Sequence, residues 1–102
     1  MEEKKGEPRK LTIQVDPNLE TGIYSNTTTV MHSEAEVLID FGMFVPGRNV
    51  IRVVSRVIMN PKHAKLFLRA LKENITKYEE KFGEINILPN EAGLHMNPPV
   101  IN

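Results

Sequence analysis

The side-chain types of a hydrolytic triad occur in this chain, but no motif places them together. They are His32, Ser33, Asp40 and Ser55. A catalytic serine needs a defined nucleophile turn such as G-x-S-x-G, and the sequence contains none. Because residue types without geometry do not make a triad, we predict no catalytic residues and no enzyme.

Metal and cofactor sites are also not indicated by the residue pattern. No two of the three histidines, His32, His63 and His95, have the i, i+4 spacing of a helical metal pair. The chain has no cysteine to complete a zinc site, and no glycine-rich phosphate loop. We therefore predict neither a metal nor a cofactor.

Positive charge is concentrated in residues 48–72, although the whole chain has 13 basic and 13 acidic residues. No acidic residue lies between positions 41 and 72. A candidate anion site is formed by Arg52, Arg56, Lys62, Lys65, Arg69 and Lys72. Cations early in a helix oppose its macrodipole, so something other than helix stability would retain them. The alternative is that Glu36 and Asp40 neutralise the two arginines by cross-strand pairing.

The strands that would position these residues are predicted from alternating apolar side chains and from a threonine-rich stretch. The predicted strands are residues 11–16, 24–32, about 36–45 and about 50–59. Pro46-Gly47 has the composition of a turn, so the last two strands should form a hairpin.

One long helix is predicted after the strands. Asn60 is suited to the N-cap and Pro61 to the first helical position, and Gly83 to the end. Apolar residues recur between them at alternating spacings of four and three, at Ala64, Leu68, Leu71, Ile75, Tyr78 and Phe82. This spacing suits a coiled-coil seam or packing on a sheet, and we expect packing on the sheet.

These elements predict an α+β fold, with a four-stranded antiparallel sheet and one long C-terminal helix packed on one face. The domain would cover residues 11–88, with a mobile charged tail at 1–10 and a loose tail containing proline and glycine at 89–102. The helix would cover the face made by Ile39, Phe41, Met43, Ile51, Val53 and Val57.

The other sheet face predicts assembly because it is apolar too. Its residues are Leu38, Phe44, Val50, Val54 and Ile58. Soluble monomers rarely expose such a patch, and burying each side chain is worth roughly 1.5–3 kcal/mol. A two-fold contact covers the same patch on both copies, so we expect a homodimer or higher homo-oligomer. The alternative is that the chain's own tails cover this face.

The charged N-terminus resembles no signal peptide and no segment is long enough to span a membrane, so we expect a cytoplasmic location.

Several short motifs along the chain, taken together and in order, indicate a resemblance to known protein families. In order they are Tyr24-Ser25-Asn26, His32-Ser33, Asp40-Phe41, Pro46-Gly47, Ser55-Arg56-Val57-Ile58, Pro61-x-His63-Ala64-Lys65, Leu68-x-Ala70-Leu71-x-x-Asn74 and Tyr78-Glu79-x-x-Phe82-Gly83. Over about residues 22–85 they resemble a small prokaryotic family catalogued only as a domain of unknown function, which implies no activity. The order of strands, long helix and Phe82-to-Pro89 segment is similar to SecB-like export chaperones. That resemblance implies oligomeric antiparallel sheets that bind unfolded clients in apolar grooves.

We therefore expect a non-catalytic oligomeric binding or scaffold module that uses an apolar sheet face or groove. Its partner would be an extended peptide or a protein, as for a chaperone. The alternative is binding of an anion or a nucleic acid through the basic residues 48–72. The aromatic-glycine motif typical of RNA-binding sheets is absent from the sequence.

Overall fold

The computed structural model describes residues 9–88 of the 102-residue chain. The predicted loose tail at 89–102 and most of the predicted charged tail, residues 1–8, lie outside the described residues. The elements are a 3-10 turn (Pro17–Leu19), strands β1 (Thr27–His32), β2 (Val37–Phe44) and β3 (Ile51–Met59), and helix α1 (Pro61–Phe82). The α+β class and the antiparallel sheet are confirmed.

The sheet has the order β1-β2-β3, and both neighbouring pairs are antiparallel. In the β1–β2 turn, the Ser33 N–H donates to the Glu36 carbonyl at 2.9 Å. The predicted hairpin between β2 and β3 is present. Its turn is closed by the Arg48 N–H, which donates to the Val45 carbonyl at 3.1 Å. Gly47 has a φ of +91°, which a residue with a Cβ rarely adopts.

The described residues form three strands, whereas the alternating pattern predicts four. Residues 11–16 lie in no strand, and Leu11 and Ile13 are 84% and 91% exposed. Alternation predicts which side chains would share a face, but a strand also needs a neighbouring edge to pair its backbone groups. In the described chain residues 11–16 pair with no such edge, and they lead into the 3-10 turn.

A β-bulge in the β2–β3 pair changes which side chains share a face. Phe41 lies opposite Ser55, but Gly42 lies opposite Val53, so β3 carries one extra residue at Val54. Side chains of β3 before this point therefore occupy the face opposite to the one that strict alternation predicts, while those after it keep the predicted face. As a result, Ile51 and Val53 leave the face predicted for helix packing.

Gly42 is required at this bulge because the backbone of β3 approaches it closely. A Cβ at this position would lie 2.8 Å from Ile51 Cγ2 and 3.2 Å from the Arg52 carbonyl oxygen. The side chain of Thr27 closes the opposite side, with its Cγ2 at 3.3 Å. A larger residue here would displace a neighbouring strand.

Helix α1 begins and ends where the sequence predicts. The Asn60 side chain accepts a hydrogen bond from the His63 N–H at 2.7 Å, and Pro61 is the first helical residue. At the other end, the Gly83 N–H donates to the Glu79 carbonyl at 2.9 Å. Gly83 has a φ of +99°.

The predicted packing of the helix on the sheet is not present in the single chain. No residue of α1 is buried, and its contact with the strands is slight. Ile39, 6% exposed, is the one buried hydrophobic residue in the described part of the chain. The helix therefore lies apart from the sheet and leaves its own apolar side uncovered.

Candidate functional site

One face of the sheet contains an ion pair at its centre, and we call it the ion-pair face. Directly opposed residues of antiparallel strands share a face, so the register assigns its members. They are Thr27, Thr29, Met31, Leu38, Asp40, Gly42, Phe44, Ile51, Val53, Arg56 and Ile58. Arg56 Nε donates to Asp40 Oδ1 at 2.7 Å, and Nη2 donates to Oδ2 at 2.8 Å. This is the two-pronged geometry in which arginine binds a carboxylate most strongly.

The ion pair is asymmetric in its exposure. Asp40 is only 2% exposed, whereas the side chain of Arg56 is partly open to solvent. The hydrogen bonds from Arg56 hold the pKa of Asp40 below its ordinary value, against the opposing effect of burial. The same bonds raise the pKa of Arg56. Both groups are therefore charged at neutral pH, and Nε and Nη2 of Arg56 donate to Asp40.

The predicted apolar partner face forms only in part. Leu38, Phe44 and Ile58 do lie together on the ion-pair face. Val50 precedes β3 and is exposed, and Val54 is the extra residue of the bulge. Ile51 and Val53, which strict alternation places on the other face, join Leu38, Phe44 and Ile58 instead. An apolar patch is thus present, but it surrounds a charged pair and has different members.

Ser25 and Asn26 belong to one of the sequence motifs, and no role was predicted for them. In the structure their side chains form hydrogen bonds with the backbone at one end of the sheet. The Asn26 side chain both donates to the Phe44 carbonyl, at 2.9 Å, and accepts from the Phe44 N–H, at 2.8 Å. These two bonds take the place of the backbone hydrogen bonds that a further residue of β1 would form. The Asn26 side chain therefore extends the β1–β2 ladder by one position. The Ser25 hydroxyl lies 2.9 Å from the Gly42 carbonyl and 3.0 Å from the Thr27 carbonyl. An asparagine just before a threonine-rich strand was the available signal for this role.

Helix α1 carries an exposed apolar stripe. Its residues recur every three or four positions and share one side of the helix. They are Ala64, Phe67, Leu68, Leu71, Ile75, Tyr78 and Phe82. Leu68 and Phe82 are 64% and 65% exposed. The rings of Tyr78 and Phe82 are 5.0 Å apart, and Lys81 Nζ lies 5.3 Å from the centre of the Phe82 ring. Tyr78 and Phe82 of the stripe thus contact each other along the helix, and the outer surface of the stripe is exposed.

A basic stripe runs beside the apolar stripe in the first half of α1. It consists of Lys62, Lys65, Arg69 and Lys72, at spacings of three, four and three, and all four are exposed. The six cations predicted as an anion site therefore do not form one set. Four share this side of the helix and Arg56 is paired with Asp40. The bulge places Arg52 opposite Met43, on the sheet face away from Arg56.

The triad side-chain types remain separate. Asp40 is bound to Arg56, whereas Ser55 lies opposite Phe41 on the other face of the sheet. His32 ends β1, and Ser33 belongs to the turn that follows.

Within residues 9–88, no group of three histidine or acidic side chains could hold a metal ion. His95 lies outside the described residues. In the same part of the chain, α1 is too polar to cross a membrane.

Comparison with known proteins identifies a family whose function is unknown. A family model described as a protein of unknown function (DUF3467) matches residues 1–87. No curated protein and no solved structure matches this chain. The predicted resemblance to a domain of unknown function is therefore confirmed, while the likeness to SecB-like chaperones stays a prediction.

Proposed function

We propose that this chain, which belongs to the DUF3467 family, is a non-catalytic binding or scaffold module that works as a homo-oligomer. In this proposal it presents an apolar surface to an extended peptide or protein segment. The observation that supports it is the amount of apolar surface left exposed by one copy. The apolar stripe of α1 is open, and Ile39 is the one buried hydrophobic residue in the described chain.

Energetic reasoning supports assembly. Ordering one residue of backbone costs about 1–2 kcal/mol, and burying one large apolar side chain returns roughly 1.5–3 kcal/mol. A chain of this length needs many buried side chains to offset that cost, and residues 9–88 bury few. A second copy would supply the missing burial without any new sequence.

The peptide-binding part of the proposal is supported by the sheet. Strands β1 and β3 each pair on one side only, so both edges present unpaired backbone groups within the described sheet. The ion-pair face adds apolar side chains next to the β3 edge, including Val53 and Ile58, both exposed. An extended apolar segment can pair with such an edge and bury alternate side chains against such a face.

The test combines mass and binding. We expect light scattering of the full chain to report at least twice the mass of one 11.6 kDa copy at micromolar concentration. We also expect a labelled extended apolar peptide to bind with little change between low and high salt, and a serine-rich peptide of equal length not to bind. A monomer that binds neither peptide would contradict the proposal.

A second candidate function is binding of a nucleic acid or another polyanion, and the basic stripe is the observation that favours it. Four cations on one side of α1 could each contact a phosphate. For duplex DNA, the logarithm of the affinity would then fall with the logarithm of salt at a slope of about −3.6. Binding that is unchanged by the double substitution Lys65→Glu and Arg69→Glu would exclude this function.

A further inference from the structure

We propose that the apolar stripe of α1 is covered by the same stripe of a second copy, and that the two helices run antiparallel about a two-fold axis level with Glu73. This inference rests on the homo-oligomer proposed above and specifies its interface. Three features of the helix support it: the size of opposed side chains, the placement of charge beside the stripe, and the reversal of charge along the helix.

Side-chain size favours the antiparallel arrangement. In heptad notation, Leu68, Ile75 and Phe82 occupy a positions, and Ala64, Leu71 and Tyr78 occupy d positions. An antiparallel pair centred on residue 73 places each a residue opposite a d residue. The opposed pairs are Ala64 with Phe82, Leu68 with Tyr78, and Leu71 with Ile75. The smallest residue of the stripe thus meets a phenyl ring, which keeps the seam evenly filled.

A parallel pair would fill the seam unevenly. Each residue would then face its own counterpart, so that two alanines at position 64 would leave a gap and two phenylalanines at position 82 would crowd. Gaps and overpacking both destabilise an apolar contact.

Charges beside the stripe also distinguish the two arrangements. Lys65, Lys72 and Glu79 occupy the e positions, which flank the partner's e positions in an antiparallel pair. Lys65 would then lie beside Glu79 of the second copy, and symmetry forms this pair twice. One Glu79 oxygen accepts from the Ile85 N–H at 2.9 Å, and we assign the other oxygen to Lys65. A parallel pair would place Lys65 near Asn60 and Glu79 near Asn74, and would form neither ion pair.

Lys72 would face Lys72 of the second copy near the axis, which is the one like-charge contact. At the exposed edge of the seam salt screens this repulsion. On the other edge, Asn74 would face Asn74, and the two amides can form hydrogen bonds with each other.

The net charge of α1 changes along the helix, from positive in its first half to negative in its second half. No acidic residue lies between positions 61 and 72, whereas in the second half Glu73, Glu79 and Glu80 outnumber Lys77 and Lys81. Antiparallel pairing brings each basic half beside an acidic half and opposes the two helix dipoles. This accounts for cations retained at a helix N-terminus where they oppose its own dipole.

Distance measurements between spin labels test the arrangement directly. The chain has no cysteine, so Glu73→Cys and Glu80→Cys each introduce a single labelling site on the exposed outer side of the helix. In the antiparallel pair the labels at 73 are level with each other, and those at 80 are separated along the axis by about 21 Å. We therefore expect a distinctly longer distance at 80 than at 73.

The outcomes separate this inference from the proposed function. Equal distances at 73 and 80 in a dimeric sample would overturn the antiparallel pair and indicate parallel helices. A distance at 73 that is longer than at 80 would overturn it as well, because the two-fold axis would then not lie level with Glu73. A wild-type chain that is monomeric at every concentration would instead contradict the proposed oligomer.

A charge exchange gives an independent test. Lys65→Glu and Glu79→Lys should each raise the dimer Kd about fivefold, and the double variant should return to within about twofold of wild type. Arg69→Glu and Glu80→Lys make the same charge changes away from the seam and serve as controls. Circular dichroism of each variant checks that α1 remains helical. If the double variant is no tighter than the single variants, Lys65 and Glu79 do not meet and the arrangement is wrong.

Discussion

The sheet and the helix of this protein differ in how far one copy supplies partners for their side chains. In the sheet, Asp40 is paired with Arg56, and Asn26 extends the β1–β2 ladder, all within one copy. In the helix, only the ends are completed, by Asn60 and Gly83, while the apolar stripe is exposed along its length. The buried carboxylate and the two helix ends thus have partners within one copy, whereas the apolar stripe of α1 has no covering surface in the described chain.

This difference also explains where the family motifs lie. Tyr24-Ser25-Asn26, Asp40-Phe41 and Ser55-Arg56 supply hydrogen bonds of the sheet. The motifs from Pro61 to Gly83 supply the first helical residue, the C-terminal cap and most of the apolar stripe. The motif residues therefore lie both among the hydrogen bonds of the sheet and on the exposed stripe of the helix.

The largest expected effect comes from introducing a charge in the middle of the stripe. Ile75→Asp should raise the dimer Kd by more than about 100-fold, because it removes one buried isoleucine and buries one carboxylate in each copy. Sedimentation equilibrium measures the change. Thr76→Asp adds the same carboxylate at the next, exposed position and should leave the Kd within about threefold. Equal effects of the two variants would show that the stripe is not the interface.

Removing the buried carboxylate should have the largest effect within the sheet. Asp40→Ala leaves Arg56 without its partner, and we expect a loss of about 2–3 kcal/mol in the free energy of unfolding. The loss is smaller than for a fully buried pair because Arg56 can turn to solvent. Urea denaturation measures it, with Asp16→Ala as the control, since that side chain is exposed and caps nothing. Similar midpoints for the two variants would mean that the ion pair adds no stability.

The ladder extension should contribute less. Asn26→Ala removes two hydrogen bonds to Phe44 and should lower the free energy of unfolding by about 1–2 kcal/mol. Asn18→Ala, in the exposed 3-10 turn, is the matched control and should change stability by less than about 0.5 kcal/mol. A loss at Asn18 equal to that at Asn26 would contradict the role assigned to the Asn26 amide.

The smallest expected effect is a dependence of stability on pH. Because the pKa of Asp40 is lower in the folded chain than its ordinary value, its contribution is complete above that ordinary value. The contribution is lost as the pH falls through the lowered pKa, where the folded chain takes up the proton. Urea midpoints between pH 7 and pH 2 should therefore decline less steeply in Asp40→Ala than in wild type. Parallel declines would show that Asp40 does not titrate with folding.

Most of the fold follows from local sequence patterns, but sheet faces do not. The helix ends, the hairpin at Pro46-Gly47 and the positions of β1 to β3 were predictable, since each depends on a few neighbouring residues. The bulge at Val54 was not, because it depends on how β3 aligns with Gly42 of the neighbouring strand. It moved Ile51, Val53 and Arg52 to faces that strict alternation does not predict. The predicted apolar patch and the predicted cation set changed with it.

By itself, the sequence determined the positions of three strands, the bounds of the helix and the apolar spacing of α1, because capping, turn chemistry and side-chain periodicity act over a few residues. Only the tertiary structure decided that Asp40 pairs with Arg56, that residues 11–16 pair with no strand in the described chain, and that the helix is not packed on its own sheet. Those outcomes depend on which distant surfaces approach each other, and the alternation of residues along one strand contains no information about that approach.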